Sequence, residues 1–225
     1  MQRYTQELQA NGDLFEVIVF NRNLSIDELA DINSYLARKW NIPHITGIFN
    51  NDFELDHDIN LSNVDVEVTA SKFNVNNNQT LTAKTITVGN GNETLDIVIS
   101  GNIEVDDFKL NSNVNFNSAA GSNLNITGTL TIDDDATAIF KGTVNAKRIN
   151  GDVIIENGYL KSDYVNGSLS VQGTSSRIAV DEVKQDLIMD SGVLAPGDSP
   201  GITVIKKNYI QNSNATLEIE IAGNN

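Results

Sequence analysis

From residue 61 to 225 short apolar runs alternate with Asn, Gly and Asp, and apolar residues nowhere recur at helical spacing. Runs at 64–68, 81–88, 95–99, 124–126, 130–132, 153–155, 169–171, 187–189 and 217–221 read as short strands between tight turns. The first 43 residues follow a different period. Residues 14–20, a dense β-branched and aromatic run, read as a buried strand. Ser25 and Glu28 then form a capping box, and Leu29, Ile32, Leu36 and Trp40 recur at helical spacing until Pro43 stops them. Arg38 and Lys39 fall in the last turn, where the helix dipole favours cations, so a helix is predicted over 26–39 with Trp40 in its packing face.

A list of short strands fits a sandwich, a barrel or a solenoid, and internal repetition arbitrates. Asn150-Gly151-Asp152-Val153-Ile154-Ile155 returns sixteen residues later as Asn166-Gly167-Ser168-Leu169-Ser170-Val171. It returns again after eighteen as Lys184-Gln185-Asp186-Leu187-Ile188-Met189. Asn-Gly also suits a hairpin, so an antiparallel meander is the competing architecture. Equivalent strands recurring in one direction favour stacked parallel turns. From Leu130 the next match is Val153, 23 residues on, which suggests a longer turn with a protruding loop at 133–135. The expected fold is mainly β, a parallel β-helix with one N-terminal α-helix as cap. Its parts are 1–43 (strand and helix), 44–60 (junction) and 61–225 (solenoid).

Composition narrows the classes. The 31 asparagines among 225 residues suit many tight corners, because Asn tolerates left-handed backbone and bonds its own main chain. A net charge of −15 argues against nucleic acid and anionic lipid as partners. With no cysteine, disulfides, thiolate nucleophiles and Cys-bound zinc are excluded. No apolar run approaches the ~18 residues of a membrane span.

Two segments resemble known families. Residues 12–25, with Glu28, Tyr35-Leu36-Ala37 and Lys39-Trp40, resemble the closing strand and helix of concanavalin/laminin-G-like lectin domains of bacterial exported proteins. That resemblance implies that the chain begins inside a domain, and that carbohydrate would be bound through the missing upstream part. Gly192-Val193-Leu194-Ala195-Pro196-Gly197-Asp198-Ser199-Pro200-Gly201-Ile202-Thr203-Val204 resembles the Pro-Gly signature of autotransporter-type β-helix passengers. It implies a right-handed coil, an extracellular or cell-surface location and a solenoid truncated at its C-terminal end.

Candidate chemistry is sparse. Asp52, Glu54, Asp56 and Asp58 alternate, as carboxylates on one strand face would, and oxygen-rich clusters suit Ca²⁺. Asp133 and Asp135, with Asp134 between them, are the second calcium candidate, or the carboxylates of a glycosidase. The run 89–96 lacks the Asp and the nine-residue recurrence of a calcium nonapeptide and reads as a turn. His44 and His57 lack a third ligand at metal spacing. No phosphate loop, Ser-His-Asp set or basic-aromatic patch occurs. The expectation is a structural, adhesive, non-enzymatic segment of a large bacterial surface protein, with no cofactor unless calcium. Its partners would be other copies of itself or other surface proteins. The alternatives are a carbohydrate-active β-helix, of the lyase, hydrolase or tail-spike kind, and a calcium-dependent surface-layer or filament protein.

Overall fold

The structure, a computed structural model, describes residues 18–22, 24, 28, 32, 35, 36, 39, 45–49, 52–196 and 201–221. The chain divides into two compact units, Met1–Pro43 and His44–Asn225. In the first, Arg22 donates both guanidinium ends to the Glu28 carboxylate, at 2.7 and 2.5 Å. The helix expected over 26–39, and with it the cap, falls mostly outside the described residues, as does the strand expected over 14–20.

The second unit is a parallel β-solenoid. Every strand pairing among the described residues is parallel, which rules out the antiparallel meander. One inward row reads Gly47, Val66, Ile86, Phe108, Leu130, Ile149, Val165, Val183, Ile205, each paired with the next. Its eight steps span 16 to 22 residues, and at ~4.8 Å per step the stack is about 40 Å high. Each full turn has three faces. Face A carries that row. Face B carries Ile59, Leu81, Ile103, Leu124, Val144, Leu160, Ile178, Leu194 and Leu217. Face C is built from Leu95–Ile99, Val114–Ser118, Thr137–Phe140, Val153–Glu156, Leu169–Gln172 and the starts of Leu187–Leu194 and Tyr209–Leu217. Strands such as Ile59–Val68 and Asn123–Ile132 run from face B into face A, and their register shifts at the bend, after Leu61 and Ile126.

The period-2 alternation puts every second residue inside, as in Asn123–Ile132, where Leu124, Ile126, Leu130 and Ile132 are buried. Core volume follows the length of the turn. Where the steps are longest, Phe108 meets Phe116 edge-on at 5.5 Å, and Phe116 meets Phe140 at 5.6 Å. Where they shorten to 16 and 18 residues the inward positions are Val144, Leu160, Val165 and Ile178, with no aromatic among them. Among the described residues, no buried side-chain nitrogen or oxygen lacks a hydrogen-bond partner.

The repeats at offsets 16 and 18 are true stacking steps: Val153 lies against Leu169 and Leu169 against Leu187. The 23-residue step compared different faces. Leu130 stacks with Ile149 on face A, whereas Val153 opens a face-C strand whose Ile154 pairs with Ile139. The turn is therefore of ordinary length, and Thr137–Phe140 is its third side. The strand expected over 217–221 is instead Tyr209–Leu217. It ends where its partner strand ends, at Leu194, with the Glu218 amide donating to the Leu194 carbonyl at 2.9 Å. Asn78, Asn113 and Asn157 adopt left-handed backbone, with φ of 57–67°, in the role expected of corner asparagines.

The repeated Asn-Gly corners are close approaches of backbone. A Cβ on Gly167 would overlap the Gly151 carbonyl oxygen, whereas one on Gly47 would meet Val64 Cγ1 at an ordinary 3.4 Å. Gly167→Ala is expected to cost about 2 kcal/mol or more in urea unfolding, and Gly47→Ala to be near neutral. Equal losses would show that the stacked corner is not tight.

Candidate functional site

Strands passing from face A to face C are joined by corners of different lengths. Asp133–Ala136 forms a full turn, closed by the Ala136 amide on the Asp133 carbonyl at 2.9 Å. The next corner is only Gly151-Asp152, between strands ending at Asn150 and starting at Val153, and it is followed by Asn166–Ser168. A long corner beside shorter, glycine-containing ones leaves a groove of about 840 Å³. Its walls include Asp133, Asp134, Asp135, Asp152, Asn150 and Gln185, and Gly151 and Gly167 also line it. Asp133 lies 3.6 Å from Lys109 Nζ. The groove brings Asp133 and Asp135 together with Asp134, and with Asp152, which the sequence reading had not singled out. The available signal was the place of Asp152 in the first copy of the unit that recurs at 166 and 184, where Ser168 and Asp186 hold the same position.

The first candidate group falls elsewhere. The strand Phe53–Leu55 is too short to hold four alternating carboxylates on one face, so Asp56 and Asp58 lie in the corner that follows it. Glu54 is exposed on that strand and lines, with Asp52, Lys72, Asn74, Asp96 and Val98, a hollow of about 580 Å³. Asp56 Oδ1 is 2.6 Å from His57 Nδ1. His57 beside it, by that hydrogen bond first, holds the Asp56 carboxyl below its ordinary value. His44 is outside the described residues. Among the described residues, no three His, Cys, Asp or Glu side chains form a group that could hold a metal ion.

What several of these carboxylates do is hold consecutive turns together. Each accepts a main-chain N–H from the following turn. The pairs are Asp52 with Lys72 N at 2.9 Å, Asp58 with Thr80 N at 2.8 Å, and Asp107 with Thr129 N at 2.7 Å. Asp152 binds Ser168 N at 2.7 Å and Asp186 binds Asn208 N at 3.1 Å. The Ser71 hydroxyl, at 2.8 Å, and then the Lys72 amide hold Asp52 below the ordinary carboxylate range. These N–H groups sit at corners, off the regular strand ladder, and a short acceptor on the turn below satisfies them. Each of the five aspartates stands directly before an apolar strand residue: Phe53, Ile59, Phe108, Val153 and Leu187. Between side chains, Asp65 accepts from Thr85 and Asp106 from Thr127, both at 2.9 Å.

Near the last turn Arg177 grips Glu218 through two bonds of 2.7 and 3.1 Å, which lowers the Glu218 pKa. No described helix is long and apolar enough to cross a membrane, which says nothing of β-strands that could.

Asp152→Ala leaves the Ser168 amide without its acceptor and is expected to cost about 1 kcal/mol, with Asp152→Asn retaining most of it. Urea midpoints compare the two. Asp52, Asp56 and Glu218 all have lowered folded-state pKa values. Their contribution is therefore complete above the ordinary carboxyl pKa, near pH 4, and is lost as pH falls through the lowered values. Melting temperature should hold from pH 7 to 5 and drop below about pH 4. The gap between the native chain and Glu218→Gln should narrow over that drop; a gap that widens on acidification contradicts this.

Compared with known proteins, the chain matches no family model, and no curated protein or solved structure matches it.

Proposed function

We propose that the chain is a structural, adhesive segment of a large bacterial cell-surface or secreted protein, a β-helical stalk that displays or assembles binding domains. The observation that carries this reading is the inter-turn bonding. Eight parallel steps are joined by ladders on three faces and by aspartates bridging consecutive turns at the corners. A stack laddered at every step and pinned at corners by five such aspartates keeps its length and direction, which is what a spacer needs. The acidic surface of a −15 chain keeps it soluble and clear of anionic envelopes. The similarity of residues 192–204 to autotransporter passengers supports an extracellular place and a right-handed coil, and the N-terminal resemblance supports carbohydrate as the ligand of an adjoining domain. In this reading other copies of the chain or neighbouring surface proteins are its partners, and it performs no catalysis.

One observation favours a second reading, a carbohydrate-active β-helix: the groove lined by Asp133, Asp134, Asp135 and Asp152, with amides at Asn150 and Gln185. Paired carboxylates across a polar groove are what glycoside hydrolysis uses. Asp133→Asn with Asp135→Asn would abolish polysaccharide cleavage in that reading and change nothing measurable in the first.

An antibody raised against the folded chain tests the display reading. It should label intact cells of the source bacterium, and mild protease shaving should remove the label. Labelling that needs permeabilised cells would overturn a surface location. Circular dichroism should give one melting temperature in millimolar Ca²⁺ and in EDTA. A large fall in EDTA would make Asp52, Glu54, Asp56, Asp58, Asp133 and Asp135 calcium ligands and transfer the proposal to calcium-controlled assembly.

A further inference from the structure

The outward sides of the three faces differ. Face A presents Asp65, Thr85, Asp107, Arg148, Tyr164 and Glu182, and face B presents Asn60, Thr82, Glu104, Asn145 and Lys161. Both are mainly polar, with the exposed apolar side chains of face A, Ile48 and Val204, at the two ends of the stack. On face C the outward row that starts at Val98 continues through Ile139, Ile154, Ile188 and Ile210, interrupted only by Asn117 and Ser170. Val98 and Ile210 at its ends are 49% and 44% exposed, and the isoleucines between them are partly exposed. Six ladder steps make the stripe about 29 Å long and one side chain wide. An aliphatic row with five of its seven positions apolar has no solubility rationale on the outside of an acidic stack.

We propose that this stripe docks a basic amphipathic helix of a partner protein. Charge argues for that occupant. The borders of the stripe carry Asp96, Asp152 and Asp186 on one side and Glu156 and Asp190 on the other. Against them stand Lys141, which Glu156 already holds at 3.3 Å, and Lys207 in the last corner. A cationic flank on the partner meets these carboxylates, whereas a second copy brings the same carboxylates and a net charge of −15. Area argues the same way. A stripe about 29 Å long and one side chain, about 7 Å, wide offers on the order of 200 Å², well under the ~800 Å² per partner of a stable dimer. A helix also presents one narrow apolar row, and about 20 residues of it match the length of the stripe. The inference is independent of the display reading.

The probe is a 20-residue Leu/Lys amphipathic peptide, with its Leu/Glu counterpart as control, titrated by fluorescence anisotropy against the full chain in 50 mM salt. The Leu/Lys peptide should bind with a Kd in the micromolar range, and the Leu/Glu peptide at least tenfold more weakly. Replacing the row by Ile139→Asn, Ile154→Asn and Ile188→Asn together should weaken Leu/Lys binding at least tenfold. Ile154→Thr, which keeps the β-branch and the strand, should weaken it about threefold; it decides the matter if the triple variant melts early. Undiminished binding to both variants would mean attraction by charge alone and would overturn the proposal. So would no binding by the native chain, equal binding of the Leu/Glu peptide, or a native dimer in sedimentation that the variants abolish.

Discussion

The whole stack depends on one constraint: the inward side chain of each turn must lie over that of the turn below at the ~4.8 Å spacing of a hydrogen-bonded ladder. Where it does, three ladders per turn satisfy the main chain and three apolar rows exclude water. The row from Val66 through Ile86 and Phe108 to Leu130 keeps register while the chain between members varies by several residues in other turns. Variation is admitted only where the ladder is interrupted, at the corners. The inward positions then adapt in volume, with phenylalanines where the path around the stack is long and Val, Leu and Ile where it is short.

Corners are therefore where polar chemistry concentrates. Main-chain groups that leave the ladder there still need partners, since an unpaired amide costs about as much as a lost hydrogen bond. Short side chains that reach one turn up are the economical answer, and Asp and Asn are short enough. Asp58, Asp107, Asp152 and Asp186 each satisfy an N–H of the next turn. Part of the chain's acidity is thus structural. The left-handed Asn78, Asn113 and Asn157 serve the same corners through their backbone.

The same economy shapes the surface. Unequal corners beside Asp133–Ala136 open a polar groove, and face C carries a mostly aliphatic outward row that the mainly polar faces A and B lack. Neither feature is needed to stack the turns. Both are where partners meet the molecule in the readings above, and their chemistries differ: one is an acid- and amide-lined trough, the other an apolar row with acidic borders.

The parallel solenoid was legible from the sequence because its evidence is local and repeated. The units at 150, 166 and 184 recur in one direction, and Val153, Leu169 and Leu187 do stack. Alternation within 124–126, 130–132 and 153–155 sufficed to say which residues face inward, since strand period is a property of neighbouring residues. What the sequence could not decide was which face a strand belongs to, so Leu130 was matched to Val153 rather than Ile149. Nor could it assign the carboxylates. Asp52 and Asp58 are defined by an amide about twenty residues away, and Asp152 joins Asp133 only because two corners of unequal length lie beside each other. The outward isoleucines form a row through the same stacking. Alternation by itself determined inside and outside; only the vertical register of the turns decided which side chains are neighbours, because neighbours in a solenoid lie one full turn apart along the chain.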